Sequence, residues 1–194
     1  MRTAEFKRKT NETDITIKLD IDGTGRYSVD TGIGFFDHML ELFTRHSLMD
    51  ITIKTSGDIK VDGHHTIEDT SIALASSLKK ALGNKEKINR YGFASIPMDE
   101  TLTNVTIDLS GRPYTVFNCP VSQGRMGEMD FEAVEEFITA FANNLGANIH
   151  VNVLYGSNRH HIAESIFKGL ARSLKQAVGI DCKETGIPST KGEI

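Results

Sequence analysis

The sequence predicts an α+β protein built as a tandem duplication of one βββαβα unit, two sheets each covered by helices on one face, with the helical layers packed together. Three observations carry this. A His-His-x-x-Glu motif occurs twice, as His64-His65-Thr66-Ile67-Glu68 and His160-His161-Ile162-Ala163-Glu164, 96 residues apart. Around each copy, segments that alternate apolar and polar residues, as strands do, and segments with apolar residues at helical spacing follow in the same order. The 194 residues leave room for two such units, and 39% hydrophobic with 25% charged residues is a globular composition.

The elements follow in order. Residues 4–10 and 14–21 alternate as strands, and Asp22-Gly23-Thr24-Gly25 is a turn into a third strand that runs to about Val29. Phe36, Met39, Leu40 and Phe43 fall on one helical face, before a β-rich stretch at 49–54. A second helix runs from Ile67 to Leu82 and stops at Gly83-Asn84. The second half repeats the pattern: strands near 92–98, 102–109 and 114–118, a helix at 129–145, a strand at 149–154 and a helix at 161–178. Shorter matches support the repeat. Gly25-Arg26-Tyr27 parallels Gly111-Arg112-Pro113-Tyr114, and Asp50-Ile51-Thr52-Ile53 parallels Asn148-Ile149-His150-Val151. Beyond the motif, Leu74, Leu78 and Gly83 return as Leu170, Leu174 and Gly179, whereas Ile72 becomes Lys168. The joint falls near Arg90–Pro97, which divides the chain into a first repeat at 1–91 and a second at 92–194. Two apolar faces of this kind have good reason to pack together.

Composition removes several classes of function. The net charge of −4 argues against a nucleic-acid partner bound by bulk charge. No apolar stretch approaches the roughly 18 residues that cross a bilayer, so no membrane partner is expected. The N-terminal segment lacks the apolar core of a signal peptide. Cys119 and Cys182 stand in no paired motif. That rules out a disulfide framework or a Cys-rich zinc site, and a reducing cytoplasm is the expected location.

The doubled motif carries the chemistry. With His64 in the first turn of its helix, His64 and Glu68 share a face one turn apart. His65 is rotated by about 100° from His64, so neighbouring imidazoles do not readily chelate one ion. Two ions, or ions shared with another copy of the site, are the simplest use. Imidazole with carboxylate and no thiolate suits Mn, Fe or Zn. A single His-His pair is commonly a surface feature; two pairs with matching glutamates at equivalent positions are a metal motif. His38 lies on an apolar helical segment and aligns, at a spacing of 98, with Glu136, so both halves place a metal-competent side chain at one point. Arg90, Arg112, Lys168 and Lys191 could bind a phosphate by charge-assisted hydrogen bonds, although spacing alone does not bring them together.

Five segments go further: Gly34-Phe35-Phe36-Asp37-His38-Met39-Leu40, Asp62-Gly63-His64-His65-Thr66-Ile67-Glu68-Asp69, Pro97-Met98-Asp99-Glu100, Asn158-Arg159-His160-His161-Ile162-Ala163-Glu164-Ser165 and Pro188-Ser189-Thr190-Lys191-Gly192. On these the chain resembles the imidazoleglycerol-phosphate dehydratase family along essentially its whole length. The resemblance implies a ribosomal-protein-S5-domain-2-like fold and a hydro-lyase of histidine biosynthesis. It also implies two Mn²⁺ per subunit and a homo-oligomeric shell of 24 subunits with active sites between them. It implies metal ligands His38, His64, His65, Glu68, Glu136, His160, His161 and Glu164. The substrate, a small phosphorylated imidazole, would meet Glu12, His38, Arg90, Arg112, Lys168, Ser189, Thr190 and Lys191, and Glu12, Glu68 and Glu164 would move protons. Many members carry histidine where this chain has Glu136, which makes one metal site more anionic than its mate. The implied reaction eliminates water through a metal-bound imidazolate and a diazafulvene-like intermediate. A dinuclear metal hydrolase and a non-enzymatic metal-binding shell would use similar ligands. The family-specific flanks weigh against the first, and the phosphate-type residues against the second.

Overall fold

Alternation along the strands decides which face each sheet buries. The computed structural model describes residues 1–194. The first half contains β1 (Thr3–Lys9), β2 (Thr13–Asp20), β3 (Tyr27–Asp30), α1 (Gly34–Ser47), β4 (Asp50–Gly57) and α2 (His64–Leu82). The second contains β5 (Tyr91–Met98), β6 (Thr101–Asp108), β7 (Tyr114–Asn118), a hairpin of β8 (Arg125–Met126) and β9 (Met129–Asp130), α3 (Glu132–Leu145), β10 (Asn148–Tyr155) and α4 (Arg159–Ala177). Strand order is β1-β2-β4-β3 in one sheet and β5-β6-β10-β7 in the other. In each, the last strand runs parallel to its neighbour and the remaining pairs are antiparallel. Register lines up equivalent inward rows: Phe6, Ile17, Ile53 and Val29 in the first sheet, Ala94, Val105, Val151 and Phe117 in the second.

The helices form the layer between the sheets. Helix α2 lies across β1 and β2, and α4 across β5 and β6. The short helices cross over, α1 packing on α4 and α3 on α2. Phe36 meets Phe137 and Phe43 meets Phe141, with ring centroids 5.7 and 6.0 Å apart, so α1 and α3 also touch. A single core cluster of 46 buried residues joins both repeats. Neither sheet buries its apolar face without helices that also serve the other half.

Two boundaries differ from the sequence reading. The helix expected at 129–145 begins at Glu132, because Met126 and Met129 are buried facing each other across a hairpin in which Gly127 has φ +62°. The helical spacing belongs to Val134, Phe137, Ile138 and Phe141. The two long helices begin earlier than Ile67 and residue 161. Asp62 accepts the backbone N–H of His64, and Asn158 that of His160, each at 2.9 Å. Such caps satisfy amides left free at a helix start, and here they place both histidine pairs in a first turn.

Candidate active site

On α4, His160 and Glu164 stand one turn apart and the packing of α1 adds His38. His160 Nε2 lies 2.9 Å and His38 Nε2 3.2 Å from the same oxygen, Glu164 Oε1. Ligand atoms of the three residues all lie within 4.8 Å of one another. Lys168, one turn further along, donates to Glu164 Oε2. Burial works to raise the Glu164 carboxyl, but hydrogen bonds from Lys168, His160 and His38 outweigh it and hold the group at about 2. Phe35 packs edge-on against the His160 ring, with centroids 5.0 Å apart. Two imidazoles and a carboxylate converging in this way form a donor set suited to a first-row divalent ion.

On α2 the equivalent residues are less tightly drawn together. His64 Nδ1 is 2.8 Å from Glu136 Oε2, which α3 brings from the second half, and His64 Nε2 is 3.7 Å from Glu68 Oε2. The two nitrogens of one ring thus face two carboxylates. Ile72 occupies the place that Lys168 holds on α4.

The second histidine of each pair turns away from the first. The rings of His64 and His65 are 87° apart in plane, and those of His160 and His161 80°. His65 Nδ1 donates to Asp58 Oδ2 at 3.0 Å, and His161 Nδ1 to Glu100 Oε2 at 2.7 Å. These hydrogen bonds raise both imidazoles above their ordinary pKa. Their Nε2 atoms face Glu12 Oε1 at 3.8 Å and Asp99 Oδ2 at 3.6 Å. Sequence reasoning missed Asp58, and it quoted Glu100 only within a motif. The two come from unrelated places, the β4–α2 connection and the β5–β6 turn, so no repeat signal marks them.

The remaining candidates gather elsewhere. Arg90, Arg112, Ser189, Thr190 and Lys191 line one pocket of about 770 Å³ together with Tyr91 and Pro188. Within it Arg90 is committed to structure: Nε and Nη2 donate to Asp108 at 2.7 and 3.2 Å, and Nη1 to the Pro188 carbonyl at 2.9 Å. The side chains of Arg112 and Lys191 form no ion pair within the chain, which leaves two cations free in the pocket. Lys168 does not join them; it belongs to the α4 cluster.

The model of the imidazoleglycerol-phosphate dehydratase family matches residues 31–174. Imidazoleglycerol-phosphate dehydratases of Rhodopseudomonas palustris and Methylorubrum populi are 57% and 55% identical over 195 aligned residues, covering all of this chain and 99% and 100% of theirs. The crystal structure of the Staphylococcus aureus enzyme superimposes with a TM-score of 0.84 at 37% identity, covering 92% of this chain and 99% of that one. The Pyrococcus furiosus structure gives 0.83 at 33% identity, covering 97% and 99%. With full-length relatives at this identity and the same duplicated architecture, the chain belongs to the imidazoleglycerol-phosphate dehydratase family.

Proposed function

We propose that this chain dehydrates imidazoleglycerol phosphate to imidazole-acetol phosphate in histidine biosynthesis, with two Mn²⁺ ions per subunit. The observation that carries the reading is the meeting of His38 from one repeat with His160 and Glu164 from the other. His38, His160 and Glu164 would form the core of one site, and His64, Glu68 and Glu136 that of its mate. His65 and His161 complete the ligand set; their divergence suits ions held between copies of the chain, as in a 24-subunit shell with active sites between subunits. Repeats at 1–91 and 92–194 would each bring one histidine pair. Nitrogen and carboxylate donors without thiolate suit Mn²⁺. The free thiols of Cys119 and Cys182 suit a reducing cytoplasm, and no helix is long and apolar enough to cross a membrane.

When bound, the divalent ions supply stabilisation of the deprotonated form of the substrate's imidazole ring. The chain's own groups bind the substrate and move protons. The hydroxyl leaves the carbon attached to the ring, a proton leaves the next carbon, and the enol becomes a ketone. Of Glu12, Glu68 and Glu164, the last has both oxygens engaged. Glu12 stands outside both clusters with no hydrogen bond to its carboxylate, so its Oε1 suits proton transfer. Arg112, Ser189, Thr190 and Lys191 would hold the phosphate, with Arg90 fixing the tail that carries three of them. Lys168 would reach the phosphate from the α4 side, and His38 would touch the substrate as well as the ion.

The test is turnover of imidazoleglycerol phosphate by purified, Mn²⁺-loaded protein. Formation of the ketone, abolished by EDTA and restored by Mn²⁺, is expected. Release of inorganic phosphate without ketone would favour a hydrolase, and binding without turnover a metal-storing shell; either overturns the reading. Arg112→Ala should raise KM by roughly 10- to 150-fold, the worth of one charge-assisted contact of about 1.5–3 kcal/mol, with Mn²⁺ content unchanged.

A further inference from the structure

The two outward histidines are held by carboxylates that differ in their freedom to respond. Glu100 Oε2 takes the Nδ1 proton of His161, while its Oε1 accepts the backbone N–H groups of Asn158 and Ser157 at 2.8 and 3.2 Å and the Thr101 hydroxyl at 3.2 Å. The orientation of Glu100 is fixed by the backbone at the start of α4, the helix that carries His161. Asp58 Oδ2 takes the Nδ1 proton of His65, but its Oδ1 is buried with no hydrogen-bond partner. A carboxylate only accepts hydrogen bonds, so each imidazole in its neutral form carries its one proton on Nδ1, which leaves the Nε2 lone pair free.

We infer that Asp58 and Glu100 are positioning residues that lock His65 and His161 with Nε2 presented to a ligand, Glu100 rigidly and Asp58 loosely. The inference rests on the proposed metal-dependent function for its use, but the lock itself exists in the metal-free chain. Outer partners of ligating histidines commonly fix the tautomer in this way, and their loss costs about 10- to 100-fold in metal affinity.

The two locks should break differently under an isosteric change. In Glu100→Gln the three donors at Oε1 keep the amide oxygen facing them. The amide N–H₂ must then face His161 Nδ1, which becomes an acceptor, and the proton moves to Nε2. In Asp58→Asn nothing holds Oδ1, so the amide can turn its oxygen to His65 Nδ1 and preserve the tautomer.

The experiment is nitrogen-15 NMR of the histidine rings in metal-free protein at alkaline pH, paired with Mn²⁺ titration by calorimetry. Wild type should show both rings protonated on Nδ1. Glu100→Gln should shift His161 to the Nε2–H form and weaken Mn²⁺ binding by about 10- to 100-fold; Asp58→Asn should keep the His65 tautomer and change affinity by less than about tenfold. Glu100→Asp, which shortens the arm but keeps a pure acceptor, should retain the Nδ1–H form and serves if the glutamine variant does not fold. An unchanged His161 tautomer in Glu100→Gln, or an Nε2–H ring in wild type or in Glu100→Asp, overturns the inference. Wild type with Nδ1–H rings but no Mn²⁺ affinity would sink the metal-dependent function and leave the lock standing.

Discussion

On α4, Glu164 has a side chain only 8% exposed and is surrounded by His38, His160 and Lys168; in the other cluster Glu68 of α2 and Glu136 of α3 are 48% and 39% exposed and share His64 between them. The backbone plan is the same: a capped first turn, a histidine pair, a glutamate one turn on, and one side chain from a helix of the other repeat. Two positions separate the clusters. Where α4 carries Lys168, α2 carries Ile72, and where α1 contributes His38, α3 contributes Glu136. Without metal the α4 cluster is balanced, one carboxylate against one ammonium. The α2 cluster holds two carboxylates and no lysine. The two copies share a geometry, and a pair of side-chain differences gives one a carboxylate paired with lysine and the other two carboxylates with no lysine.

The largest expected effect tests whether both clusters serve the same reaction. His64→Ala and His160→Ala should each lower turnover by more than about 100-fold, beyond what loss of an outer partner costs. Alanine favours helix more than histidine does, so circular dichroism should be unchanged. Near-normal steady-state turnover in either variant at limiting Mn²⁺ would break the pairing of the two clusters.

Lys168→Met separates them by stability. It removes the cation from a nearly buried carboxylate, and metal-free protein should lose about 2 kcal/mol in denaturant unfolding, below the full cost of breaking a wholly buried pair because Lys168 keeps some exposure. Saturating Mn²⁺ should recover part of the loss. An unaltered midpoint would show that Glu164 needs no balancing charge.

Glu136→His makes the α2 cluster resemble its mate. Replacing a hard carboxylate with imidazole should move selectivity from Mn²⁺ toward Zn²⁺ by about tenfold, or 1.4 kcal/mol, in competition titrations. The same ratio before and after would mean that Glu136 does not ligate.

The comparison extends to the outer turns, where the effect is smallest. Asp50 accepts the backbone N–H groups of Thr24 and Arg26 and pairs with the Arg26 guanidinium, which together hold its carboxyl well below the usual 3.8. The equivalent residue in the second sheet is Asn148, opposite Asp108 as Asp50 is opposite Asp20. A carboxyl depressed in the folded state contributes stability above its unfolded value, and that contribution is lost as pH falls below about 3.8. Asp50→Asn should flatten the acid limb of a stability profile measured by urea unfolding. A profile as steep as wild type would assign the acid sensitivity to other carboxylates.

Much of this was legible because repetition amplifies weak signals. One histidine pair says little, but two with matching glutamates and matching leucines marked α2, α4 and their faces. Strand alternation located the two main sheets but not the short β8–β9 hairpin, whose second strand, Met129–Asp130, takes up the start of the segment 129–145 read as helix. The exchange of His38 and Glu136 between halves was not legible, since it depends on α1 crossing to α4 and α3 to α2. Arg90, Arg112, Ser189, Thr190 and Lys191 line one pocket, a meeting that spacing alone did not show, while Lys168 stands beside Glu164 one turn away on its own helix. Asp58 and Glu100 escaped because each repeat solves the same problem from a different loop.

Whether both clusters are metal sites of one dehydratase is tested most directly by adding Mn²⁺ stepwise to metal-stripped protein while following imidazoleglycerol phosphate turnover, with bound metal counted by elemental analysis. Activity should climb until two Mn²⁺ are bound per chain and then stay flat. Full turnover with one ion or none, or no turnover with two bound, would contradict that assignment.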